Sequence, residues 1–185
     1  MGWETTLEDT LAEVWRRLGR GVADRRAPAR HPTFATVDAG GAPALRTVVL
    51  RAADPAAATL EVHTDAASGK AAELARDPRS ALHVWDARAR LQLRLAARAE
   101  AVTGDEAEAR WARIPEGARL AYGGTPPPGA PLARPEDHDP TPDPARFLPL
   151  RLRLTEIETL HLGEDRHRRA RFRAMDGWAG RWIAP

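Results

Sequence analysis

The stretch ALRTVVLRAADPAAATLEVHTDAASGK, residues 44–70, decides how the rest of the chain is read. Arg46 and Arg51 bracket the apolar, mostly β-branched run Thr47, Val48, Val49, Leu50, which has the composition of a strand. Asp54-Pro55 is a turn signal, and the chain returns as a second strand from Thr59 to Thr64. A short polar loop then delivers Ser68 and Lys70 at the start of a helical pattern ending before Asp77-Pro78. Lys70 is the sole lysine; every other one of the 28 basic side chains is arginine. An ammonium is a compact point charge where guanidinium is a planar fork. Placed at a helix start, with its free N–H groups, it suits a phosphate. Guanidinium, hydroxyl and ammonium groups at Arg46, Arg51, Thr64, Ser68 and Lys70 are together the composition of a phosphate pocket.

Working outward, Thr6–Leu18 is an amphipathic helix with Leu7, Leu11, Val14, Trp15 and Leu18 on one face, and Gly19 and Gly21 as its stop. Strands are expected at Phe34–Val37, closed by the Asp38–Gly41 turn, and at Leu45–Arg51, Thr59–Thr64 and Ala81–Trp85. Leu91–Val102 alternates most clearly, with Leu91, Leu93, Leu95 and Ala97 on one face and Gln92, Arg94, Ala96 and Arg98 on the other. Asp105–Arg113 is helical and stops at Pro115. Between Pro126 and Pro144 lie eight of the 16 prolines, so residues 123–146 are expected as an extended, mobile surface loop. Alternation resumes over Phe147–Leu160, and Arg166–Trp182 has room for two more strands. Successive short-turned strands with few helices predict a mostly β, antiparallel small barrel with flanking helices, as a single domain over residues 1–185.

Composition narrows the function classes. The chain of 185 residues has 43% hydrophobic residues and no apolar run long enough for a membrane span. No secretion signal is visible, and a cytoplasmic location is the expectation. With no cysteine there are no disulfides or thiolate metal sites, and His161 and His167 lack metal-ligand spacing. The net charge is only +2, a weak field for nucleic acid, although Arg166–Arg173 holds five arginines without an acid.

Several motifs in order resemble one family. R-T-V-V-L-R at 46–51 comes first, followed by H-T-D-x-x-S-G-K-x-x-E-L-x-x-D-P-R at 63–79. V-W-D and L-Q-L-R-L come next, and then L-H-L-G-E-D-R-H-R-R-A-R-F and G-W-x-x-R-W-I-x-P towards the end. Together they resemble the pyridoxamine 5′-phosphate oxidase family, which binds FMN on a split β-barrel. The resemblance spans about residues 31–103 and 147–185 and implies a homodimer with FMN at the interface. It implies that Arg46 and Lys70 bind the FMN phosphate with Ser68, and that Thr47, Val48, Val49 and Leu50 run along the flavin. His63 and Thr64 lie at the next strand end, Gln92 reaches the flavin side, and His161 stands where the family commonly has tryptophan. Arg171 matches a family arginine that comes from the partner subunit. An anionic substrate would be held by Arg51, in the family's lysine position, with His167 and Arg169.

The chain also departs from the pattern. Gly69 replaces a family arginine, and Trp111, Pro115 and Arg119 do not reproduce the family's Tyr/Arg/Ser phosphate grip. The implied activity is hydride transfer from substrate to flavin with O2 as re-oxidant. The alternatives are a flavin reductase or carrier and, from another class, a nucleic-acid arm at 166–173.

Overall fold

The computed structural model describes residues 2–185. Its strands are β1 (Thr33–Val37), β2 (Pro43–Thr47), β3 (Leu50–Asp54), β4 (Thr59–Asp65), β5 (Arg79–Asp86), β6 (Leu91–Ala101), β7 (Phe147–Leu162), β8 (His167–Arg173) and β9 (Gly180–Ile183). The helices are α1 (Leu7–Ala23), α2 (Gly69–Arg76), α3 (Asp105–Ala112) and α4 (Glu116–Arg119).

All strand pairs are antiparallel, and the main path runs β2-β1-β5-β6-β7-β4-β3. Its two edge strands, β2 and β3, are consecutive in sequence and separated only by Val48 and Val49. Two residues span roughly 10 Å at most, so the opposite edges must meet and the sheet curls into a barrel. The expected single strand Leu45–Arg51 is therefore two strands. The break falls at Val48–Val49, where Val48 N–H donates to the carbonyl of Pro32 at 3.1 Å instead of joining a ladder.

The split in the barrel lies on β7. Its first half, Phe147–Arg153, pairs with β4, and its second half, Glu156–Leu162, pairs with β8, while β6 runs beside both. Thr155 is the extra residue at the register shift opposite Ala96/Ala97, and such a bulge increases the local twist. Beyond β8, β9 extends the second wing.

The alternation read in Leu91–Val102 is the inside–outside pattern of β6. Leu91, Leu93 and Leu95 join Phe34, Leu50, Leu152 and Phe172 in the buried core. Helix α1 covers β3, β8 and β9 with Val14 and Leu18 fully buried. It runs to Ala23 rather than stopping at Leu18. Gly21 stays helical because the returning turn at Pro28–Arg30 presses on it: a Cβ there would lie 2.7 Å from the Ala29 carbonyl carbon. That glycine is a contact point and not a stop.

The proline-rich segment also differs from an extended loop. Asp65 accepts from Gly123 N–H at 2.9 Å and from Arg146 Nε at 2.8 Å, so one buried carboxylate fastens both ends of the loop. Thr125 and Asp139 exchange backbone hydrogen bonds at 2.9 and 2.8 Å within it. Tyr122, Ile114 and Phe147 form a second small core beneath, with Trp111 packed against it.

Candidate cofactor site

Lys70, Thr64 and Ser68 converge where β4 hands over to α2. Lys70 Nζ donates to Thr64 Oγ1 at 2.9 Å, and Thr64 Oγ1 and Ser68 Oγ are 3.0 Å apart. Thr64 and Ser68 are buried. Ser68 occupies the N-cap of α2 without its hydroxyl capping the helix, so the first N–H groups of α2 are not taken up by it. Burial and the neighbouring Arg46 charge hold the Lys70 ammonium below its ordinary range, against the pull of Glu73 and Asp65. Arg46 itself is fixed by Glu73, its NH2 nitrogen 2.8 Å from Oε2, and by Thr36 and the carbonyl of Ala44. Two cations, two hydroxyls and a helix N-terminus form a donor set complementary to a phosphate dianion. Gly69 leaves the approach open: a Cβ there would meet only Glu73, at 3.8 Å.

A second recess lies on the outer face of β3 and β4, under α3. This cavity of about 500 Å³ is lined by Arg51, Ala52, Glu61, His63, Arg110 and Ile114, among others. Arg51 sits in the register shift between Leu50 and Ala52, beside the Tyr122 hydroxyl, whose pKa burial raises and Arg51 moderates. His63 Nε2 lies 2.9 Å from Glu61 Oε1, and Arg110 Nε donates to Glu61 Oε2 at 2.8 Å. The two sites are neighbours in sequence. Arg46 and Thr64 serve the first, while Arg51 and His63, on the same two chain segments, serve the second.

The remaining expected residues divide between two faces. Gln92, Arg169 and Leu160 stand in one cross-strand row, and Arg94, Glu158 and Arg171 in the next. His167, Arg169 and Arg171 alternate on one face of β8. Gln92 approaches His83, with 3.3 Å between Oε1 and Nε2. His161, opposite Leu91, points to the other side of the sheet, where its ring lies 5.0 Å from that of Trp3. The structure therefore separates His161 from Gln92. Burial is the main cause that lowers the His161 pKa, opposed by Glu4.

The row from Thr47 through Thr33, His83, Arg94 and Glu158 to Arg171 spans five strand spacings, roughly 24 Å along the sheet. Arg171 is thus five strands away along the sheet from β2, which carries Arg46. Thr47 is exposed and Val49 half-buried, whereas Val48 and Leu50 belong to the buried core, so the contacts of these two are made within the barrel.

Sequence reasoning missed the acidic partners. Glu73 orients Arg46, Glu61 holds His63, and buried Glu158 gathers Arg94, Arg169 and Arg171 at 2.9, 2.8 and 3.5 Å. Parity in β4 and β7 puts Glu61 with His63 and Glu158 with its row, and that was the available signal. The basic run 166–173 leads into and forms β8, paired on both sides by β7 and β9, and its five arginines each have a carboxylate partner, at Asp165, Glu156 or Glu158. Their engagement in ion pairs with neighbouring carboxylates weakens the case for a nucleic-acid arm. Among the described residues no helix is long and apolar enough to cross a membrane.

Comparison with known proteins agrees with this geometry. A crystal structure of a pyridoxamine 5′-phosphate oxidase-related, FMN binding protein from Nostoc punctiforme superposes with a TM-score of 0.76 at 26% identity. It covers 94% of this chain and 96% of that one. PhzG from Burkholderia lata, in complex with tetrahydrophenazine-1-carboxylic acid, shares the fold with a TM-score of 0.75 at 19% identity, covering 95% and 92%. The pyridoxine/pyridoxamine 5′-phosphate oxidase of Cupriavidus necator is 33% identical over 112 residues, 60% of this chain and 52% of the relative. The chain thus matches about half the length of these curated relatives. Residues 3–103 match the family described as pyridoxamine 5′-phosphate oxidase, FMN-binding domain. FMN, the cofactor expected from the sequence, is the one this domain family binds. On the fold, the phosphate-type donor set and this match, the chain belongs to the pyridoxamine 5′-phosphate oxidase FMN-binding family.

Proposed function

We propose that the protein is an FMN-dependent oxidoreductase that takes a hydride from an anionic small molecule of the pyridoxine or pyridoxamine 5′-phosphate class. Its re-oxidant is O2, and it acts as a homodimer. The observation that carries this is the convergence of Lys70, Thr64, Ser68 and Arg46 at the start of α2. Lys70 and the α2 N–H groups would hold the FMN phosphate, Ser68 and Thr64 would hydrogen-bond it, and Arg46 would approach with its orientation set by Glu73. Bound FMN would supply the two-electron acceptor. Gln92, on the outer sheet face, would meet the ring edge. The long lateral path to Arg171 supports the partner subunit as the source of that arginine, and the exposed Trp85 and Leu45 give this face an apolar part to cover. Arg51 would anchor the substrate anion from the second recess, with His167 and Arg169 closing from β8.

A second reading, a flavin reductase or carrier, is favoured by one observation. Arg119 is spent on the carbonyls of Ile114 and Trp111, at 3.1 and 3.4 Å, and stacks on the Trp111 ring at 5.1 Å. These two side chains hold each other and do not form a phosphate grip. The deciding experiment mixes FMN-loaded protein anaerobically with pyridoxine 5′-phosphate, pyridoxamine 5′-phosphate or NADPH and follows the visible flavin absorption. Bleaching by a vitamer phosphate, with peroxide released on admitting air, is expected. Bleaching by NADPH alone would replace the oxidase with a reductase.

A further inference from the structure

Among the described residues, His63 Nδ1 and Arg51 Nε are buried without a hydrogen-bond partner, and both side chains line the cavity of about 500 Å³. Buried polar atoms are nearly always paired, so two orphans at one recess mark where a ligand brings the complementary groups. The state of each follows from its neighbours. Burial alone would raise the Glu61 carboxyl, but the hydrogen bonds from His63 and Arg110 and the Arg110 charge outweigh it and lower its pKa. An ionised Glu61 only accepts, so the 2.9 Å contact requires a proton on His63 Nε2. With Nε2 donating, an imidazole that holds a single proton carries its lone pair on Nδ1. Arg51 Nε is a donor. The matching ligand has an anionic oxygen for Arg51 and a hydroxyl or amine proton for His63.

We infer that His63, oriented by Glu61, is the proton acceptor of this cavity for an anionic substrate anchored at Arg51. The inference rests on the flavin-dependent reading above. In the step, the substrate's carbinol or aminomethyl carbon loses its C–H electron pair and hydrogen as hydride to the flavin. The adjacent O–H or N–H bond breaks, its proton bonds to Nδ1, and carbon and heteroatom are left doubly bonded. Glu61 stabilises the imidazolium so formed, as a carboxylate does for a histidine base in acyl transfer. The charged and titratable groups around His63 are Glu61 on its own strand, Arg110, Glu106 and Arg113 from α3 and its end, Arg151 of β7 opposite Glu61, and Arg51 from β3 with Tyr122 beyond it. From β7, Phe147 packs edge-on at 4.9 Å and fixes the ring plane. Arg110 occupies only Glu61 Oε2, so Oε1 is left to His63 and keeps the Nε2 side of the imidazole turned to the carboxylate.

The test compares FMN-loaded wild type, His63→Gln and Glu61→Gln. FMN affinity is measured first, by fluorescence quenching, and then anaerobic reduction by pyridoxine 5′-phosphate from about pH 5.5 to 9. The wild-type rate is expected to rise with pH to a plateau. His63→Gln should lose that limb and about 100-fold of the plateau rate, with FMN affinity within about threefold, and Glu61→Gln should lose about tenfold. Nitrogen-15 NMR of the apoprotein should find the Nε2–H tautomer at His63, a readout that does not need turnover. If His63→Gln does not fold, the Glu61→Gln profile and the tautomer decide. A His63→Gln protein that keeps rate and limb, or a proton on Nδ1, would each overturn this inference alone, whereas FMN-bound wild type that neither vitamer phosphate reduces would overturn the oxidase reading together with it. Wild type that binds no FMN would overturn the flavin reading and this one with it.

Discussion

Lys70 has a depressed pKa because burial and Arg46 both oppose its charge. An ammonium held in that state by the fold contributes little to folding and much to an incoming anion. Replacing it with methionine removes a charge-assisted hydrogen bond, about 1.5–3 kcal/mol, or roughly 10–100-fold in FMN affinity. Lys70→Met should therefore weaken FMN by that factor, leave riboflavin within about threefold, and not lower the melting temperature of the apoprotein. Fluorescence titrations with both flavins and a thermal melt check all three. The lysine was legible because it is alone in the composition. Its partners were less so: Thr64 and Ser68 lie nearby in sequence, but Glu73 and Thr36, which aim Arg46, reach it through the barrel.

Elements were legible where hydrophobic period and packing agree, as in β6 with its alternating leucines. They were illegible where tertiary contact overrides local preference. Val48 and Val49 are good strand formers, yet the strand breaks between them because β2 and β3 belong to opposite edges of the curled sheet. Gly19 and Gly21 look like a helix stop, but α1 continues because another backbone needs the space beside Gly21. The loop over residues 123–146 shows the same limit, since composition cannot reveal a single buried anchor. Asp65→Asn would leave Arg146 without its charge partner and weaken the bond to Gly123 N–H. A loss of about 2–3 kcal/mol is expected, which lowers the melting temperature by roughly 4–12 °C and opens residues 123–146 to limited proteolysis. An unchanged melt and cleavage pattern would mean the loop is held elsewhere.

Two half-sites frame the whole fold. The barrel wing supplies the phosphate end at Arg46–Lys70 and the Arg51–His63 recess, and the β8–β9 wing carries Arg169 and Arg171 on the same outer sheet face as Gln92. The two wings of one chain are separated along the sheet, and on that separation rests the proposal that a second copy completes the site. Motif order made the family fold readable from sequence, whereas the division of residues between faces needed the strand register, as His161 and Gln92 illustrate. The central claim is that the Lys70 corner recognises a flavin by its phosphate. Equilibrium fluorescence titration of the apoprotein with FMN and with riboflavin tests it most directly. The account predicts saturable quenching at one FMN per chain, with FMN preferred to riboflavin by at least about tenfold. Equal affinity for the two flavins, or no quenching by FMN, would contradict it.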